Sequence, residues 1–183
     1  MRTRHRAMTA LAMASLVALP LTACGNETGG GPSEAVTHDP STSQDPADAA
    51  PQERIQGYFD AFDTAAAEGW LETSYNTEYL TPELAEQADT VDAQNRDSGA
   101  TFEGERELSE WTVREQDEAT VVVEFCQDTS NQRVMRDGHD QGEAEGRDVG
   151  RFTLTRDSTD EPWLIAAKEF HPEGTTCADH FGD

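Results

Sequence analysis

The pattern of apolar positions divides the chain into a helical part followed by a strand part. Residues 52–68, QERIQGYFDAFDTAAAE, carry Ile55, Tyr58, Phe59, Phe62 and Ala66 at the spacing of one helical face, with Asp60, Asp63 and Glu68 on the other faces. This predicts an amphipathic helix that stops at Gly69. Trp70 to Tyr79 is less regular and reads as a short helix. Thr81-Pro82-Glu83 has the order that starts a helix: an N-cap hydroxyl, proline at the first position and an acid in the first turn. Leu84, Ala88 and Val91 give that helix a thin apolar face to Arg96, and Asp97-Ser98-Gly99 ends it.

The period then changes to two. Between Phe102 and Arg114, apolar residues sit first on even positions (Phe102, Leu108) and then on odd ones (Trp111, Val113). A single strand cannot hold both sets on one face, so a bulge is expected near Ser109–Glu110. Asp117-Glu118 reads as a turn, and Ala119, Val121, Val123 and Phe125 alternate cleanly, with Val122 adding apolar character to the opposite face. Further strands are expected at Phe152–Thr155 and Trp163–Phe170, with a weaker one at Arg133–Arg136 before the turn signal Asp137-Gly138. Helices first and antiparallel strands afterwards imply an α+β domain, its N-terminal helices packed on one face of the sheet.

The beginning of the chain follows neither pattern. Arg2, Arg4 and Arg6 precede a short apolar run, Ala7 to Pro20, which is too short for a span of about 20 apolar residues and matches a secretory signal peptide. Leu21-Thr22-Ala23-Cys24 then resembles the lipobox of bacterial lipoproteins. That resemblance implies cleavage after Ala23, diacylglycerol on the Cys24 sulfur, and attachment to the extracytoplasmic face of the cell membrane. Two buried acyl chains, at about 0.8 kcal/mol per CH₂, hold firmly where one does not. From Gly25 to Pro51 Val36 is the only large apolar side chain, so the segment cannot offset its ordering entropy and reads as a tether. The expected organisation is a signal at 1–23, a lipidated cysteine and acidic tether at 24–51, and one domain at 52–183.

Charge narrows the partners. The 183 residues hold 37 Asp+Glu against 13 Lys+Arg, a formal charge of −24, and Lys168 is the one lysine. A polyanion of this density repels phosphate backbones, so nucleic-acid binding is excluded as a general role. There are three cysteines, and lipid on Cys24 leaves Cys126 and Cys177. In an exported protein such a pair is expected to oxidise, the alternative being one buried thiol and one reactive one. A bridge would close a loop of about 50 residues and stabilise by roughly 2–4 kcal/mol.

The order of elements resembles the NTF2-like (SnoaL-like, cystatin-like) fold, a curved sheet wrapped round helices to form a cone. The likeness tightens at Cys126-Gln127-Asp128-Thr129-Ser130, followed by Val134, Gly138, Phe152-Thr153-Leu154, Trp163-Leu164-Ile165 and Cys177. This is similar to a C-x-D-x-S … G … W-x-[VI] … C arrangement in small lipoproteins and secreted proteins of actinomycetes. The resemblance implies a Cys126–Cys177 bridge from the second strand to the C-terminal tail. It carries over no catalytic residues. The acidic stretch Asp137 to Asp148 departs from it, since relatives turn tightly there.

Candidate chemistry is sparse. Asp128 and Ser130 have no histidine at recognisable spacing and read as turn residues. The stretch around His139 is rich in oxygen donors but does not fit the EF-hand template, and reads as a solvated acidic loop. His139, His171 and His180 show no HxxxH or Cys/His spacing, so no metal or cofactor is expected. Tyr58, Phe62, Trp111, Phe125 and Phe152 are expected between helix and sheet, as core or as the lining of a pocket. The resulting expectation is a non-enzymatic module that binds an envelope protein or a small apolar ligand. The alternative is a SnoaL-like enzyme moving a proton on a small hydrophobic substrate, with His171 as its base.

Overall fold

The structure, a computed structural model, describes residues 49–144 and 148–182. Helix α1 spans Pro51–Ala67, with proline in its first turn and the Glu53 carboxylate accepting the Ala50 N–H at 2.8 Å. It ends where Gly69 and Trp70 both turn left-handed (φ 77° and 61°) and the Trp70 N–H reaches back to the Ala65 carbonyl at 2.7 Å. This is the Schellman pattern, with glycine at the position that favours positive φ. Its reach turns the Trp70 ring into the core, where the indole N–H donates to Ala100 O at 2.8 Å. Helices α2 (Tyr75–Tyr79), which takes only the second half of the expected Trp70–Tyr79 stretch, and α3 (Pro82–Asp97), close to the expected bounds, follow.

Among the described residues seven strands come next: β1 (Ala100–Glu103), β2 (Glu107–Gln116), β3 (Thr120–Asp128), β4 (Arg133–Arg136), β5 (His139–Glu143), β6 (Val149–Thr155) and β7 (Leu164–Phe170). They form two antiparallel sheets, in the orders β1-β4-β5 and β2-β3-β6-β7. The chain closes with α4 (Cys177–Phe181). The domain is therefore α+β, with helices packed against curved antiparallel sheet.

The expected bulge is present. Register shifts between Ser109 and Thr112, Glu110 takes φ 52°, and both Leu108 and Trp111 consequently pack against the core. Two expectations are corrected. The run from Phe102 to Arg114 is two strands in different sheets, because Gly104 (φ 103°) breaks it; a Cβ there would collide with the Asn131 carbonyl oxygen. Part of the acidic stretch is strand, not loop. Asp137 and Gly138 (φ 51° and 76°) make a tight reversal, and β5 pairs with β4 by backbone bonds despite having no apolar face.

The core lies between α1 and one face of the four-stranded sheet. Ile55, Tyr58 and Phe59 from α1 meet Val121, Val123, Phe125, Phe152 and Leu154, all nearly or wholly buried. Gly150 makes room for the Phe125 ring: a Cβ there would lie 2.5 Å from Phe125 Cζ. Helices and sheet are also tied by polar contacts. Arg106 bonds Asp63 at 3.0 and 3.2 Å while stacking over Phe59, and Thr81 N donates to Ile165 O at 2.9 Å.

Candidate functional site

Strand β3 has both faces covered. Its odd residues Val121, Val123 and Phe125 face α1, so Val122, Glu124 and Cys126 point to the opposite, convex face, and they too are buried. What lies over the convex face is α4, five residues long and too short to hold itself as a helix. It is held by the Cys126–Cys177 disulfide, with Cα atoms 5.8 Å apart. Thr176 caps it, accepting the Asp179 N–H at 3.1 Å. Glu124 and Cys126 share a strand face two residues apart, while Cys177 and His180 share a helix face three apart. Bridging Cys126 to Cys177 therefore sets His180 over Glu124.

The resulting cluster converges on one carboxylate. Glu124 Oε2 lies 2.9 Å from His180 Nε2 and 2.5 Å from Arg114 Nε, while Oε1 lies 3.8 Å from His171 Nε2. The two imidazole centroids are 4.3 Å apart, and Arg114 Nη2 stands 3.5 Å from His180 Nε2. The Glu124 side chain is 6% exposed, against 28% for His171, 19% for His180 and 41% for Arg114. Burial works to raise the Glu124 pKa, but hydrogen bonds from His180 and Arg114, with their charges, outweigh it and hold the carboxyl below its ordinary range. Two imidazoles and a carboxylate thus share one partly open site. A cleft lined by Arg151, Glu169, Phe170, His171 and Pro172 opens beside it.

A second ionisable group lies on the concave face. Lys168 is opposite Phe152 in the β6–β7 register, so its side chain shares the face turned to α1. Its Nζ donates to the Tyr58 hydroxyl at 2.7 Å and stands 4.8 Å from the Tyr58 ring centroid. Among the described residues Lys168 makes no ion pair. Desolvation lowers its pKa to about 8, against a weaker opposing pull from Asp92. Asp92, itself 2% exposed, accepts from the Tyr75 hydroxyl and from Asn76 Nδ2, each at 2.7 Å.

The residues singled out from sequence fall out as follows. Cys24 lies outside the described residues. Cys126 and Cys177 are bridged. Tyr58, Phe125 and Phe152 are buried core; Phe62 and Trp111 pack against it half-buried. Joined through Phe59, their rings make a continuous cluster, with Phe125–Phe152 centroids 5.0 Å apart and Trp111–Phe125 5.2 Å. None of the five lines the cleft of about 810 Å³ that runs between α2, α3 and the start of β7 past Leu80, Pro82, Ala85 and Leu164. Asp128 accepts the Ser130 N–H at 2.8 Å, a turn bond that lowers its pKa. His139 is exposed on β5. His171, the candidate base of the enzymatic alternative, lies just past the end of β7 in the convex cluster. Glu124 and Arg114 were not singled out. The available sign was a single acid in the apolar run Val121-Val122-Val123-Glu124-Phe125.

No family model matches the sequence, and no curated protein matches it either. Among solved structures, the crystal structure of the intermembrane space region of the chloroplast protein ARC6 is similar. Its TM-score is 0.50 at 12% identity, over 65% of this chain and 92% of that one. At that identity the likeness concerns the fold alone. No helix among the described residues is long and apolar enough to cross a membrane.

Proposed function

We propose that this chain is a lipid-anchored protein of the extracytoplasmic membrane face whose domain, residues 52–183, is an NTF2-like module that binds without turnover. The observation that carries the reading is the Cys126–Cys177 bridge. It suits an oxidising compartment, and of three cysteines it leaves Cys24, in the lipobox-like Leu21-Thr22-Ala23-Cys24, for lipid. Binding is favoured over catalysis because aromatic rings occupy the space between α1 and the sheet. A small apolar ligand or envelope protein then meets the outside of the domain, and the α2–α3 cleft is the apolar surface suited to it. Intact-mass analysis of membrane-extracted protein should find diacylglycerol-modified Cys24 as the first residue. The Cys24→Ala variant should lose the modification. Unmodified mature protein in the membrane-free medium would overturn the anchor.

One observation favours the enzymatic alternative: an amine and a phenol, Lys168 and Tyr58, in contact on the concave face. Lysine acylation separates the two readings. A closed interior makes Lys168 react more slowly than a free amine of the same pKa. Reaction at the free rate would mean an open cone and support catalysis.

A further inference from the structure

We propose that Glu124, His171 and His180 form a binding site for a zinc-type divalent cation on the convex face of the sheet. The donor set is two imidazole nitrogens and a carboxylate, and one ligand atom from each lies within 4.8 Å of the others. Two ligands about 2.1 Å from a tetrahedral ion stand roughly 3.4 Å apart. The His180 Nε2–Glu124 Oε2 and His171 Nε2–Glu124 Oε1 separations, 2.9 and 3.8 Å, fall on either side of that value, near enough for side-chain rotation to bring the donors round one ion. Both histidines already present Nε2 to the carboxylate. Imidazole selects zinc, copper or nickel over calcium and magnesium, which take oxygen. Three protein ligands leave a fourth position open, and the partly exposed histidines and the adjoining cleft give it access to solvent.

Arg114 is the competitor and also a marker. Its guanidinium sits on Glu124 Oε2, where the cation would draw its charge balance. At 41% exposure the side chain can leave for water without unpacking the core. The surrounding acid excess raises the local cation concentration. A bound ion would join β3, the end of β7 and α4, adding a second clamp beside the disulfide. The proposal does not depend on the lipid anchor or on what the domain binds.

The test is calorimetric titration of the full chain with Zn²⁺ after chelator stripping, in a Cys24→Ser background that leaves no cysteine outside the disulfide. One ion per chain should bind with micromolar affinity or tighter. His171→Asn and His180→Asn should each weaken it about tenfold or more. Arg114→Ala should tighten it several-fold, the opposite sign from any loss of structure. Co²⁺ should show the visible bands of a four-coordinate site, absent in His180→Asn. Glu124→Gln also disturbs the packing beneath α4, so the histidine variants, checked by circular dichroism in chelator, are the deciding ones. No Zn²⁺ heat, or one-to-one binding unchanged in both histidine variants, would overturn the site.

Discussion

The two faces of β3 are built from alternating residues of one strand, yet they are held in different ways. The concave face is covered by a seventeen-residue helix and a ring cluster, and its order comes from apolar burial. The convex face is covered by a five-residue helix, and its order comes from one covalent bond and one buried carboxylate. A face packed with rings has little room for chemistry. A face held by a tether can gather ionisable groups, because packing is not what keeps it folded. That is why His171, His180 and Arg114 meet on the convex side.

The comparison is tested most severely on the concave side. Phe125→Ala or Phe152→Ala should each cost about 3–5 kcal/mol, read from the midpoint of denaturant unfolding with the slope unchanged. The rings are in contact, 5.0 Å between centroids, so the double variant should lose less than the sum. A cost below about 1 kcal/mol would mean that the rings border empty space, and the contrast between the faces would fail. Breaking the tether is the next largest change. Cys126 and Cys177 are 51 apart in sequence, and reduction or Cys177→Ser should cost roughly 2–4 kcal/mol. Hydrogen exchange should then show α4 opening while the amides of β3 and β6 stay protected. Equal loss of protection in α1 and α4 would show that the faces are one cooperative unit.

The concave face was largely legible from sequence, and the convex one was not. The stripe Ile55-Tyr58-Phe59-Phe62 and the alternation Val121-Val123-Phe125 each repeat with the period of their element, so apolar pattern alone brings them together. The even–odd switch before Trp111 likewise announced the bulge at Glu110. Strand β5 was missed because it pairs through its backbone and carries no apolar period. The cluster on Glu124 was missed for another reason. Arg114, Glu124, His171 and His180 belong to separate stretches, with no fixed spacing to read, and they meet only after the disulfide seats α4. The cysteine pairing was foreseen, but its consequence three residues on, at His180, needed the helix.

The smallest effect concerns the ionisable group on the packed side. Lys168 has a folded pKa of about 8 against an ordinary value of 10.5, so between these pH values the unfolded chain binds a proton that the folded one does not. Stability should therefore rise with pH from 8 upward, by at most about 2 kcal/mol near pH 10. Above that the sign reverses. Burial raises the Tyr58 pKa above its ordinary 10.0, so there the unfolded chain ionises first and stability falls. Lys168→Met should remove the rising limb and keep the falling one, read as unfolding free energy against pH with the disulfide intact. It should also be more stable relative to the native chain at pH 7 than at pH 10. Parallel curves for the two proteins would mean that Lys168 is hydrated in the folded state. The concave face would then be open to water at its β7 edge, as the enzymatic alternative requires.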